Sequence, residues 1–109
     1  DEVISAHVKE VVTKSVKDSF GKSDFISVFK DSLKQFAEQE RGKFVFSENV
    51  FAKIVNGDYS IISSNGEYLL EINDIFYEFK DGLNSVTRKF SIRITFNENN
   101  PESVIVMIN

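Results

Sequence analysis

Cysteine is absent from this chain of 109 residues, and with it go disulfides, thiolate nucleophiles and thiolate-bound metals. Tryptophan is absent as well, and histidine occurs once, at His7, so a zinc site would have to be built from carboxylates almost alone. Pro101 is the sole proline; no proline-rich linker, repeat or low-complexity tract divides the chain. No stretch approaches the roughly 20 apolar residues of a membrane-spanning helix, and none has the layout of a signal peptide. The nucleophile-elbow, P-loop and dinucleotide-binding glycine patterns are missing, as is any N-x-S/T acceptor site.

Charge is short of a dominant sign. The net value is −4, with 8 acids to 7 bases in residues 1–42 and 9 acids to 6 bases in residues 43–109. Neither part forms the basic stripe that nucleic-acid backbones require, and the acidic excess is too small for DNA mimicry. The chain starts at Asp1, not at Met, which leads to the expectation of a processed or excised segment. A periplasmic or extracellular location is expected on that ground and from the lack of cysteine, with the cytoplasm as the alternative.

What is present is enough for one domain: 41% of the residues are hydrophobic, and 11 of them are Phe. The organising stretch is Thr87–Phe96, TRKFSIRITF, where Phe90, Ile92, Ile94 and Phe96 alternate with polar neighbours. That is a strand with one dry and one wet face. The dry face needs a cover, and the start of the chain supplies it. Ile4, Val8, Val11, Val12, Val16 and Phe20 recur at helical spacing over residues 2–20, ahead of Gly21 as a stop. Phe25, Ile26, Phe29, Leu33, Phe36 and Ala37 do the same over residues 24–41, with Ser23 or Asp24 as the cap and Gly42 at the end. The expected fold is α+β: two N-terminal helices packed on one face of a curved, bulged antiparallel sheet of four to five strands.

Strands are predicted at about 43–55, 58–64, 67–80, 86–96 and 103–108. Asn56-Gly57 and Asn65-Gly66 read as tight hairpin turns around the second of them. Residues 47–56 also fit a short capped helix, with Val50, Phe51, Ile54 and Val55 on one side; β-branching and the Asn-Gly pair favour the strand. In residues 67–80 the alternation changes phase. Tyr68, Leu70 and Ile72 share one parity, whereas Ile75, Tyr77 and Phe79 share the other. A β-bulge at Asn73 and Asp74, opposite Ser91, restores a single apolar face and predicts the pairs Phe79–Val86, Tyr77–Arg88, Ile75–Phe90, Ile72–Ile92, Leu70–Ile94 and Tyr68–Phe96. The same register leaves Asp81–Asn84 as a four-residue loop. Val104–Ile108 is apolar on both faces, so this last strand is expected to be central or doubly covered, or else an edge completed by a partner.

Candidate chemistry is sparse. His7 reads as a partly exposed helix residue. Glu71, Asp74 and Glu78 read as a solvated acidic face rather than a glycosidase pair, with Asn73 and Asp74 as the place where activity would be sought, because bulges recur beside functional sites. Residues 81–85 and 97–100 lack the ligand spacing of calcium loops. No catalytic, cofactor-binding or metal residue is assigned. Lys89 and Arg93 on the wet face, with Phe76 beside them, are the candidate contacts for an acidic partner, and Val104 and Val106 the candidates for association through the last strand.

N-terminal helices followed by a long, bulged, curved antiparallel sheet resemble the cystatin-like and NTF2-like group of folds. Within it, the order of elements is similar to the periplasmic domains of VirB8-type proteins of type IV secretion and conjugation machines, which implies a non-catalytic assembly role; those domains have a larger helical part. Lys53-Ile-Val-Asn-Gly57 is similar to the Q-x-V-x-G hairpin loop of cystatins at Val55 and Gly57, with Lys53 in place of Gln. The expected function is a non-enzymatic protein–protein interaction or assembly module, with protein partners or a second copy of itself, no cofactor, no nucleic acid and no membrane segment in the chain. The alternatives are a small inhibitor or immunity-type protein, and an NTF2-like binder or enzyme with a pocket between helices and sheet. The inward positions, apolar apart from Tyr68, Tyr77 and Arg88, leave little room for such a pocket.

Overall fold

The computed structural model describes residues 2–109. Three helices, α1 (Glu2–Ser19), α2 (Phe25–Glu40) and α3 (Glu48–Val55), pack against a four-stranded antiparallel sheet of β1 (Ser60–Ser64), β2 (Glu67–Asp81), β3 (Asn84–Asn97) and β4 (Asn100–Ile108). The strands lie in chain order, so β1 and β4 are the two edges. The expected α+β class, the two N-terminal helices on one face and the antiparallel sheet are all present.

The helical stripes are buried as their spacing requires. Ile4, Val8, Val11, Val12 and Val16 of α1 and Phe25, Phe29, Leu33 and Ala37 of α2 meet Leu70, Ile72, Ile75, Ile92, Ile94 and Phe96 of the sheet in one core. α2 reaches the sheet through its phenylalanines: Phe29 stacks on Phe96 with ring centroids 4.7 Å apart, and Phe25 stacks on Tyr68 at 5.3 Å. Burying aromatic rings of this size contributes on the order of 1.5–3 kcal/mol each, which is what holds a helix poor in capping interactions. Asp24 occupies the N-cap position of α2 but makes no side-chain capping bond. Phe20, read as the end of the first stripe, lies beyond α1 and is exposed.

The bulge is where the phase change placed it. β2 and β3 pair as Phe79–Val86, Tyr77–Arg88 and Ile75–Phe90, shift register between Ile72 and Ile75, and resume as Ile72–Ile92, Leu70–Ile94 and Tyr68–Phe96. Asp74 takes a left-handed conformation, φ 57°, to make that shift. The turn after it is tighter than the four-residue loop expected, because Asp81 and Asn84 themselves pair and only Gly82 and Leu83 lie between them. From Phe76 to Lys89 no residue is buried, so this end of the hairpin is an arm that extends past the helices. On its inner side Tyr77 stacks on Phe79 at 5.8 Å, and the Arg88 guanidinium lies 5.4 Å from the Phe79 ring centroid.

The segment at 43–55 departs from the strand expected there. It is a 3-10 turn, Val45–Ser47, followed by α3, and Val50, Phe51 and Ile54 point into the core. Asn56-Gly57 closes the helix instead of turning a hairpin. The Gly57 N–H donates to the Ile54 carbonyl at 3.1 Å and the Asp58 N–H to the Lys53 carbonyl at 2.8 Å, with Gly57 at φ 73°, which is a Schellman cap. The cystatin-like reading of Lys53–Gly57 as a hairpin loop therefore does not hold. Asn65-Gly66 does form the expected two-residue turn, both residues at positive φ between the paired Ser64 and Glu67.

Candidate functional site: the open face of the sheet

The helices cover one face of the sheet and leave the other open. Parity decides which side chains stand on it. Because Leu70, Ile94 and Val106 point toward the helices, their neighbours Leu69, Thr95 and Ile105 point away. Ile62 pairs with Leu69, Leu69 with Thr95, and Thr95 with Ile105, so these four residues form one unbroken row across all four strands. Ile62 and Ile105, at its two ends, are 59% and 58% exposed. Two residues along, a second row runs Ser60, Glu71, Arg93 and Met107, and Met107 is 55% exposed. An open apolar depression of about 220 Å³ lies at the β1 end, lined in part by Ile62, Leu69 and Thr95.

Charged pairs lie within the second row and beyond it. Arg93 Nη2 lies 3.8 Å from Glu71 Oε1, its direct cross-strand neighbour. Past the bulge, Phe76 and Lys89 are another cross-strand pair, and Lys89 Nζ lies 3.8 Å from Asp74 Oδ1. Phe76, Lys89 and Arg93, singled out from the sequence as partner contacts, thus share this open face. Val104 and Val106 do not. Val104 is 1% exposed and Val106 packs on the core, because both have the inward parity of β4; the outward pair is Ile105 and Met107. Nor is β4 central: it is an edge, covered on its inner face by α1.

The bulge borders a polar pocket of about 420 Å³ lined by Lys53, Gly57, Asp58, Tyr59, Ser60, Glu71, Asn73 and Asp74. Its charges are paired: Lys53 Nζ is 2.9 Å from Asp58 Oδ2 within the pocket, and Glu71 and Asp74 face Arg93 and Lys89 outside it. Tyr59 there has its phenol pushed above the usual range by burial, helped by the negative charge of Asp31. Tyr68, at the other end of the sheet, is shifted the same way, by burial and by the hydrogen bond its hydroxyl donates to Glu98 at 2.9 Å. Among the described residues no three His, Asp or Glu side chains gather where a metal ion could sit.

His7 has a structural position. Its ring stacks on Phe44 with centroids 3.7 Å apart, and Nδ1 is within 3.0 Å of Ser47 Oγ, which ties α1 to the turn before α3. Among the described residues no helix is long and apolar enough to cross a membrane. The residues that sequence reasoning missed are Ile62, Leu69, Ile105 and Met107. Parity gave a signal for Leu69, the neighbour of inward Leu70; Ile62, Ile105 and Met107 lie in strands to which the sequence pattern assigns no inner face.

No family model, curated protein or solved structure matches this chain at a significant level.

Proposed function

We propose that this chain is a non-enzymatic protein–protein interaction module whose contact surface is the open face of the sheet. The observation that carries this reading is the row Ile62–Leu69–Thr95–Ile105, continued by Met107, which keeps Ile62, Ile105 and Met107 more than half exposed, with Leu69 and the Thr95 methyl between them, on the face turned away from the helices. Exposed apolar side chains that are contiguous, and not scattered singly, mark contact surfaces. Arg93, Glu71, Lys89 and Asp74 supply the polar rim, a layout typical of protein interfaces, in which an apolar centre carries the affinity and charge sets orientation.

The inner face argues against the pocket-bearing alternative. Leu70, Ile72, Ile92, Ile94 and Phe96 are at most 1% exposed beneath the helices, so the space a small-molecule binder would use is filled by side chains. A location outside the cytosol, within an assembly such as a secretion or conjugation machine, belongs to the same proposal and draws on the order of elements and the cysteine-free composition.

A photo-crosslinking side chain at position 62, introduced in the native cell, tests the face. The expected result is a discrete adduct with another protein that is lost when Met107→Glu is added. Adducts that are absent, or unchanged by that substitution, would overturn the reading.

A further inference from the structure

Among the described residues, β4 has a neighbouring strand on one side only. The hydrogen-bonding parity of its other side follows from the strand's end. Ser91 and Asn109 exchange both backbone bonds, at 3.1 and 2.9 Å. In an antiparallel ladder such pairs recur at every second residue, so Met107 and Ile105 are bonded to Arg93 and Thr95, whereas Val104, Val106 and Ile108 turn their N–H and C=O groups toward the open edge.

Natural edges are blunted by shortness, by Lys or Pro, or by bulges. β1, the opposite edge, is five residues long and reads SIISS, with three serines. β4 has no such protection in its regular part: from Ser103 to Ile108 it carries no charge and no proline, and Pro101 lies ahead of it. Its outward side chains, Ile105 and Met107, are more than half exposed, and Val106 and Ile108 are only partly buried.

We propose, building on the interaction-module reading, that this edge pairs antiparallel with β4 of a second copy about a two-fold axis at Val106, joining two four-stranded sheets into one. The partner is a second copy because the edge is complementary to itself. With the axis at Val106, all three outward-directed residues find partners: Val106 meets its own equivalent, and Val104 meets Ile108 in both directions. An axis at Ile105 would leave Ile108 outside the regular part unpaired. The Val106 register sets Ile105 of each copy beside Met107 of the other on the open face, in the narrow pairs where side chains come closest. Ile105 and Met107 of each copy then gain an apolar neighbour across the axis, no like charges oppose each other, and the row that ends at Ile105 in one copy runs on into the Met107–Arg93–Glu71 row of the other.

Molar mass is measured by light scattering over about a hundredfold range of concentration. The expected result is a monomer–dimer equilibrium that Ile105→Lys weakens by about tenfold or more, while Leu83→Lys at the hairpin tip leaves it unchanged. Because the chain has no cysteine, register is read by oxidation: Ile105→Cys mixed with Met107→Cys forms a disulfide faster than either variant alone, since only the mixed pair is directly opposed. Circular dichroism confirms that each variant is folded. A monomer at all concentrations overturns the edge pairing, as does a dimer that Ile62→Lys breaks and Ile105→Lys does not. Either result leaves the open-face reading to stand or fall on the crosslink at position 62.

Discussion

Phe29 and Phe96 stack 4.7 Å apart, both fully buried, one from the second turn of α2 and one from the inner strand β3. This contact joins the layer of helices to the sheet at the point where α2 would otherwise stand off it. Truncating either ring removes the transfer energy and leaves a cavity that neither rigid element can close. Phe29→Ala is expected to cost about 3–5 kcal/mol, and Leu83→Ala, at a side chain wholly in solvent, less than about 0.5 kcal/mol. Urea denaturation followed by circular dichroism separates the two.

Asp74 takes φ 57° at the bulge, and its carboxylate faces Lys89 in an exposed pair. A pair so open to water contributes little, so the backbone decides the outcome of substitution. Asp74→Gly is expected to be neutral or mildly stabilising. Asp74→Val, which puts a β-branched residue in the left-handed region, is expected to cost about 1–2 kcal/mol. Equal losses for the Gly and Val variants, by thermal or urea unfolding, would show that the ion pair and not the backbone sets the bulge.

The bulge was legible because strands alternate strictly: two apolar runs of opposite parity in one strand, facing a single uninterrupted run in the next, admit one repair. The error at 43–55 has an equally local cause. Asn-Gly supplies positive φ wherever it is needed, and both a type I′ hairpin and a Schellman cap need it, so the dipeptide alone does not separate them. What did separate them was Val50, Phe51 and Ile54 at helical spacing, outweighed in the sequence reading by β-branching that tertiary burial overrides. The open-face row was not legible directly. Ile62, Leu69 and Ile105 come together only when three registers are known at once; Asn65-Gly66 and the phase change at the bulge carry the first two, but the last strand, apolar on both faces, carries no sign of the third.

Alkaline pH offers a test of the tyrosines. Tyr68 and Tyr59 both hold their protons above the usual 10.0, mainly because burial disfavours the phenolate. The folded chain then binds more protons than the unfolded chain once pH exceeds about 10, so stability falls as pH rises through that point and is fully retained below it. The urea midpoint is expected to be level from pH 7 to 9 and to drop by pH 11. In Tyr68→Phe that drop should be shallower, and at pH 7 the variant loses only the hydrogen bond to Glu98, about 1 kcal/mol. An unchanged alkaline slope would mean that Tyr68 titrates as it does in the unfolded chain.

Val104 and Ile105 are neighbours in sequence and opposites in consequence. Val104 is enclosed beneath α1 at 1% exposure, and Ile105 stands on the open face at 58%. A carboxylate at 104 would be buried without a partner, at a cost of more than about 4 kcal/mol, which is a large part of the stability of a domain this size. Val104→Asp is therefore expected to prevent folding, as read from lost circular dichroism and a collapsed unfolding transition. Ile105→Asp is expected to fold with a midpoint close to that of the parent, within about 0.5 kcal/mol, because its side chain is already in water. The contrast matters for any binding experiment on this strand. Lost association in Val104→Asp would report only on folding, whereas lost association in Ile105→Asp, with the fold intact, would place the contact on the outward side of β4.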